Sequence, residues 1–355
     1  MALEWPDRPP ARTITATAPI RICDNGGWTD TWFARRGKVF NIAVRPVAEV
    51  QVELYPAGVL PERVLIYAEN YGQRYALRPG QASHQPHPLL AAAIEIMALP
   101  DDSWLHVSIF SDAPAGASTG TSAAVTVALV AALDRLTPGR LSARDVAYKA
   151  HSVEVDLLGQ QSGIQDQLCS AYGGLNFIDI HDYPHAAVTP IRLPGETWWE
   201  LERRLALIYL GKAHASSDVH LQVLRELQDA GPESRPLADL RATAEPARDA
   251  VLAADFAALG RAMIANTEAQ RRLHPALVSQ DAERVIALAR EHGALGWKVN
   301  GAGGEGGSLT LLCGRRSAAR RAMLQAIKKE NPMYQNIPVQ LSHDGLRVWE
   351  QTGEA

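Results

Sequence analysis

The sequence predicts a protein that mixes helices and strands, α/β or α+β, on three observations. Segments rich in valine, isoleucine and threonine alternate apolar and polar residues as strands do. Alanine- and leucine-rich segments with helical patterning lie between them, so the two kinds of element alternate along the chain. Glycine-rich loops stand at several of the junctions. With 46% hydrophobic and 21% charged residues over 355 positions, the chain can bury a sizeable core. That length, at roughly 100–200 residues per domain, suggests two domains.

Taken in order, Thr13–Arg21 and Val39–Val52 read as strands, joined through the loop Asp24–Thr31. A strand follows at Val64–Ala68, a helix at Pro88–Met97 and a strand at Trp104–Ser111. Ala123–Leu133 reads as a small-residue helix, and Ser142–Leu158 as a helix with Ser142 as its N-cap. The stretch His181–Thr197 carries Pro184, Pro190, Pro194 and Gly195 and precedes an apolar strand at Leu205–Leu210. The domain boundary is placed there, dividing residues 1–190 from 191–355. Beyond it, His220–Ala230 and Leu237–Met263 have helical patterns, Leu309–Cys313 reads as a strand and Ser317–Asn331 as a helix.

Composition excludes several classes. The 39 acidic and 35 basic residues give a net charge of −4, which argues against a nucleic-acid binder. Cys23, Cys169 and Cys313 are far apart, so neither a disulfide framework nor a cysteine-based zinc site is expected, and His84 and His87 lack zinc-site spacing. The N-terminus has charges and prolines where a secretory leader needs an apolar run, which points to the cytoplasm. No charged residue occurs from Ala113 to Leu133, yet Pro114, Gly116, Ser118 and Gly120 interrupt its first half, so a buried helix behind a loop is expected rather than a membrane span.

Three loops carry chemistry. Asp112–Ala124 (DAPAGASTGTSAA) follows a strand and opens a helix, where free N–H groups and the helix dipole favour a phosphate. Thr121 and Ser122 add hydroxyls suited to Mg²⁺; a small-residue packing loop is the plainer alternative. In Lys298–Gly307 (KVNGAGGEGG), Gly301, Gly303 and Gly306 match G-x-G-x-x-G formally. Its context opposes a dinucleotide fold, because a helical segment is expected before it and a strand after it. No G-x-x-x-x-G-K-[ST] sequence occurs either. In Glu154–Gln167, Glu154 near a helix end and Asp166 past a glycine turn can divide metal binding from contact with a substrate hydroxyl. Singly, each is more often a solvated charge.

Together these loops resemble the GHMP kinase superfamily, which includes galactokinase, homoserine kinase and mevalonate kinase. Ala18–Asp30 (APIRICDNGGWTD) resembles the family's first motif, Pro114–Ala124 its P-x-G-x-G-L-G-S-S-A-A loop, and Lys298–Gly307 its G-A-G-x-G-G motif. The three motifs stand in family order and span nearly the whole chain. Asp156–Gly159, Gly163–Gln167, Tyr172–Asn176 and Asn266–Pro275 are similar to heptose 7-phosphate kinases, whereas Gly26–Thr31 is more similar to L-fucose kinases. Two departures stand out: Ser118-Thr119 replaces the Gly-Leu of the second motif, and Thr121 stands where a serine is common. Glu305 occupies a variable position of the third motif and is expected to face solvent.

The resemblance implies an α+β fold, with an N-terminal domain like ribosomal protein S5 domain 2 and a C-terminal ferredoxin-like domain. It implies ATP and Mg²⁺ as cofactors. Asp166 would face the acceptor hydroxyl as general base or orienting carboxylate, and Arg21 would stabilise developing charge. Pro114, Gly116, Ser118, Thr119, Gly120, Thr121, Ser122 and Ala123 would hold the nucleotide, and Thr121 and Glu154 the metal. Asp30, Gly27, Thr29, Gly173, Gly174, Gly303 and Gly304 would meet the acceptor. An Asx turn is the plainer role for Asp30, a structural ion pair for Arg21, and close backbone packing for the glycines.

Trp198 and Trp199 can stack a sugar but more often pack a core. Arg271, Arg272 and His274 suit either a phosphate-bearing substrate or a solvated face. The expected function is therefore a kinase of carbohydrate metabolism that phosphorylates a sugar hydroxyl, the anomeric one, of a heptose 7-phosphate or a free hexose, pentose or uronic acid. Its partner would be that small molecule, with neither nucleic acid nor membrane, and a homodimer is compatible with the resemblance. A non-catalytic nucleotide- or sugar-binding regulator on the same fold is the alternative.

Overall fold

The computed structural model describes residues 8–352 apart from 79, 81, 138–139 and 214–217. Two long antiparallel strands, Arg12–Asn25 and Gly37–Tyr55, form the spine of a nine-stranded sheet among the described residues. The second is long enough to serve two neighbours. Its first part pairs with Leu175–Asp182 and its last part with Trp104–Ser111, both antiparallel. Trp104–Ser111 pairs parallel with Val64–Ala68, which forms a hairpin with Gln73–Ala76.

The helix Thr121–Asp134 crosses this sheet, and its buried residues come from every side of the helix. Small alanines let it approach the spine closely, while Val127, Leu129, Val130 and Leu133 are wholly buried, each contributing about 1.5–3 kcal/mol through the hydrophobic effect. The uncharged stretch is thus a core helix, and no helix of the described residues is long and apolar enough to cross a membrane. Ser142 caps the helix Ala143–Ser152 in a reciprocal capping box with Asp145, and the segment Val153–Leu157 continues it as a π-helical turn.

A second sheet runs Gln335–Ile337, Leu205–Tyr209, Ser308–Leu312, Gly296–Val299, all antiparallel. In chain order this is fourth, first, third, second, with helices in the two crossovers, the βαββαβ arrangement of a ferredoxin-like unit. Alternation along Leu205–Leu210 sends Ala206, Ile208 and Leu210 into this unit's own core and Leu205, Leu207 and Tyr209 towards the main core. The last strands, Gln340–Leu341 and Arg347–Thr352, return to the first sheet, so the two sheets do not divide the chain at one point.

Three sequence expectations change. Residues 181–197 hold a hairpin between Leu175–Asp182 and His185–Ile191 and then the helix Gly195–Arg204, with a cis peptide before Pro184; proline is tolerated there because the hairpin lies at a sheet edge. The single helix over 237–263 is three: Arg235–Arg241, Ala244–Leu252 and Phe256–Leu273. Ala254 takes a left-handed turn (φ 53°) and Asp255 caps the next helix by accepting from the Ala258 amide at 2.9 Å, which ends one helix and starts another without a glycine. Finally, the glycine loop after Lys298 follows the strand Gly296–Val299 and joins it to Ser308–Leu312 as a hairpin. The dinucleotide reading still fails, because no helix follows the loop.

Candidate active site

Arg21 lies near the end of the first spine strand, where the pairing register shifts between Pro19 and Ile20 and again between Ile22 and Asn25. Such irregularities re-aim side chains at sheet ends. The guanidinium meets Asp166 in a two-pronged contact, Nε to Oδ1 at 2.7 Å and Nη2 to Oδ2 at 3.0 Å, and Nη1 donates to the Ser118 carbonyl. Arg21 is buried, whereas the Asp166 side chain keeps 25% of its surface open. Burial opposes the charge on Arg21, but Asp166 and Asp24 outweigh it and raise its pKa. Asp166 sits in the first turn of the helix Gln165–Tyr172.

The phosphate-type loop wraps this pair. The Arg21 amide donates to the Thr119 carbonyl at 2.9 Å, Gly120 precedes the buried helix with φ 70°, and a Cβ at Gly120 would fall 3.0 Å from Asp166 Oδ2. Ser118 adopts φ 56°, a left-handed conformation that suits the glycine of the family motif and costs a serine roughly 1–2 kcal/mol. A cavity of about 300 Å³ is lined by Gly116–Ala123, Arg21, Glu154, Asp166, Gln167 and Gly301. It adjoins a more apolar cavity of about 350 Å³, lined by Ala68, Tyr71, Leu90, Ile109 and Val125, through the shared residues Gly116, Thr121 and Ser122. Pro114 accepts from the Ala117 amide and forms the turn rather than a lining surface.

Glu154 faces the first of these cavities from the π-helical turn, buried, with Oε1 lacking a hydrogen-bond partner. Burial pushes its pKa up to about 7, with Asp166 adding and Ser162 opposing. The Thr121 hydroxyl lies 3.2 Å from that of Thr119. Among the described residues no group of three or more His, Cys, Asp or Glu side chains gathers to hold a metal alone. An unpartnered carboxylate oxygen and a hydroxyl on one cavity do fit Mg²⁺, whose shell is normally completed by phosphate and water.

On the other side of Arg21 and Asp166 lies a cavity of about 160 Å³, below the ~300–1,000 Å³ usual for drug-sized ligands and suited to a small acceptor. Asp30 lines it, accepting the Gln165 amide at 3.1 Å; burial lifts its pKa to about 6, the amide opposing and Asp166 adding. A Cβ at Gly163 would fall 2.0 Å from Asp30 Oδ2, so only glycine fits there. The Tyr183 hydroxyl donates to the Ser162 carbonyl at 2.9 Å and holds this loop, with His151 Nε2 at 2.7 Å from the same hydroxyl.

Several expected contacts lie elsewhere. The Thr29 hydroxyl closes its own turn on the Gly26 carbonyl at 2.7 Å, and the Gly27 amide donates to the Asp24 carbonyl, so both shape the loop without lining the cavity. Gly173 and Gly174 stand at the far end of the Asp166 helix; the Gly174 amide donates to the Ser342 carbonyl, and the returning C-terminal segment packs on them. Gly303 and Gly304 pack on Leu277, whose carbonyl accepts the Gly304 amide; Gly301 and Ala302 line the cavities instead. Glu305 is exposed, as expected. Trp198 stacks on His343 at 3.6 Å as packing, while Trp199 is exposed on the same helix. Arg271 and Arg272 pair with Glu268, Glu283 and Asp239 on the surface.

Sequence reasoning missed Asp24 and Lys298. Lys298 Nζ lies 3.2 Å from Asp24 Oδ1, and both Asp24 oxygens accept the Gly301 amide, at 3.2 and 3.1 Å. Burial alone would raise Asp24, yet Lys298, Arg21 and that amide hold its pKa below the usual carboxylate value. Trp28, Thr31 and Trp32, also not singled out, line the acceptor cavity. The signal for Asp24 and Lys298 was available only as opposite charges within two glycine-containing motifs.

Comparison with known proteins identifies the family. Residues 89–174 match the family described as GHMP kinases N terminal domain. Mevalonate kinase of Thermococcus onnurineus is 31% identical over 250 residues, covering 69% of each chain. D-glycero-alpha-D-manno-heptose 7-phosphate kinase of Campylobacter jejuni is 24% identical over 243 residues, covering 68% of this chain and 69% of its own length. The crystal structure of a D-glycero-D-manno-heptose 1-phosphate kinase from Bacteroides thetaiotaomicron shares the fold, with a TM-score of 0.71 at 21% identity over 95% of this chain and 98% of that one. The chain belongs to the GHMP kinases, ATP-using phosphotransferases with an alcohol group as acceptor.

Proposed function

We propose that the protein is a Mg·ATP-dependent sugar kinase that phosphorylates the anomeric hydroxyl of its substrate. The observation that carries this reading is the Arg21–Asp166 contact, which stands at the wall shared by a phosphate-type cavity and a small one lined by carboxylates and indoles. The relatives named heptose kinases support the sugar. The relatives named mevalonate kinase supply the competing acceptor.

In this reading the triphosphate occupies the cavity of Gly116–Ala123 and the base enters the apolar cavity beyond it. Asp166 aligns the acceptor hydroxyl and takes its proton as the sugar oxygen bonds to the γ-phosphorus. The bond from that phosphorus to the β–γ bridging oxygen breaks, ADP leaves, and the proton passes from Asp166 to solvent. Arg21 and the amides at the start of the buried helix offset the charge that develops on the transferring group. Thr121 and Glu154 would hold Mg²⁺, which neutralises phosphate charge when bound. Asp30 orients the sugar, because a carboxylate can accept from two hydroxyls at once.

The test is Mg²⁺-dependent ADP release across free sugars, uronic acids, sugar phosphates and mevalonate, with the phosphate position read by ³¹P NMR. An anomeric phosphate on one sugar is the expected result. Turnover of mevalonate alone would overturn the reading, and ATP binding without turnover of any acceptor would favour a non-catalytic regulator.

A further inference from the structure

Three carboxylates, Asp24, Asp30 and Asp166, line the acceptor cavity, and among its described lining residues Arg21 is the one cation. That cation is committed, to Asp166 through two nitrogens and to the Ser118 carbonyl through the third. Lys298, which pairs with Asp24, is wholly withdrawn from water and is also engaged by Gln270 Oε1 and the Val299 carbonyl. Arg35 and Arg36 line a different cavity, with His181, Asp182 and Glu233. The remaining described lining residues of the acceptor cavity are neutral, including Trp28, Trp32 and Leu224 as apolar surface and Thr31 and Gln161 as polar groups.

Hydroxyls suit such a wall, since the Asp30 and Asp166 carboxylates can accept from them and an indole face covers the C–H face of a ring. A second anionic group on the acceptor does not. It would face the Asp30 carboxylate, which has no cationic partner among the described residues, and stand beside the triphosphate. Arg21 and Lys298, which already neutralise Asp166 and Asp24, offer it nothing, and no other described lining residue is a cation. Like charges brought together across a binding surface are strongly unfavourable. Resting on the sugar-kinase reading above, we propose that the acceptor is an uncharged, unphosphorylated sugar and that the Asp30 carboxylate discriminates against sugar phosphates and sugar acids.

The experiment compares matched pairs that share a ring: D-mannose with D-mannose 6-phosphate, D-galactose with D-galacturonate, and D-glucose with D-glucuronate, with mevalonate as an acidic acceptor that is not a sugar. The full chain is assayed for kcat/KM with saturating Mg·ATP. In each pair that is turned over, the uncharged member is expected to be favoured by at least about 100-fold. The Asp30→Asn variant, which keeps an acceptor for the Gln165 amide, should narrow that ratio about tenfold. A charged member turned over as well as its neutral partner, or a ratio unmoved in Asp30→Asn, overturns the proposal while the sugar-kinase reading stands. Turnover of mevalonate with no member of any pair turned over overturns the sugar-kinase reading itself.

Discussion

The Asp24 carboxylate and the Lys298 ammonium lie 3.2 Å apart with side-chain exposures of 1% and 0%, joining the first spine strand to the glycine hairpin of the second sheet. Gly301 donates its amide to the same carboxylate, so the ion pair fixes the backbone that lines both cavities beside Arg21. Removing one partner leaves the other charged and buried, which typically costs about 3–5 kcal/mol. Asp24→Ala should therefore lower the urea midpoint by a corresponding amount. A loss under about 1 kcal/mol would show that Lys298 escapes to water or loses its charge at little cost.

Asp166→Asn preserves size and can still accept from Arg21, but it cannot take a proton from the acceptor. The expected loss in kcat is about 10²–10⁴-fold, the usual scale for general acid–base assistance, with ATP affinity nearly unchanged. Nucleotide titration of the variant beside steady-state kinetics separates the two. Equal turnover would remove Asp166 from the chemistry.

Glu154 carries a pKa raised from 4.5 to about 7 by burial. Between those values the folded chain holds a proton that the unfolded chain has released. Its contribution to stability is therefore full below about pH 4.5 and is lost as pH rises through about 7. Glu154→Gln should remove that component, so the difference in unfolding free energy between variant and parent should grow by a few kcal/mol from pH 5 to pH 8. Asp30, raised to about 6, and His151, lowered to about 4 by burial, act in overlapping ranges and cancel in the difference. A pH-independent difference would mean that Glu154 titrates as an ordinary carboxyl.

Gly163 stands against the Asp30 carboxylate with no room for a Cβ. Gly163→Ala should displace Asp30 and raise the KM for the acceptor by about tenfold or more, a loss of at least one good hydrogen bond, while the KM for ATP holds. Parallel rises in both KM values would indicate a general loosening of the loop instead.

The legible part of this chain was local. The β-prone runs Val64–Ala68 and Trp104–Ser111 gave those strands with the observed limits, and Ser142 marked its helix start, because strand preference and capping depend on neighbours in sequence. The phosphate-type loop was equally visible, since it needs a strand, small residues and a helix N-terminus in succession. Less visible were features that depend on distant packing. Leu237–Met263 has enough helical character to hide two breaks, and its segments turn where tertiary contacts demand. Thr29, Gly173 and Gly303 carry residue types common in sites, yet their neighbours in space assign them to turns and packing.

By itself the sequence determined the mixed fold and the family, and it offered Arg21, Asp30, Glu154 and Asp166 as candidates, because family motifs are short segments whose residues stay close along the chain. The tertiary structure alone decided that Asp24 and Lys298 meet, that Gly301 rather than Gly303 reaches the site, and that three carboxylates share one small cavity. Residues 24 and 298 come together only when the glycine hairpin docks beside the first spine strand. The sign of the field around the acceptor is a sum over space, which no local pattern of residues contains.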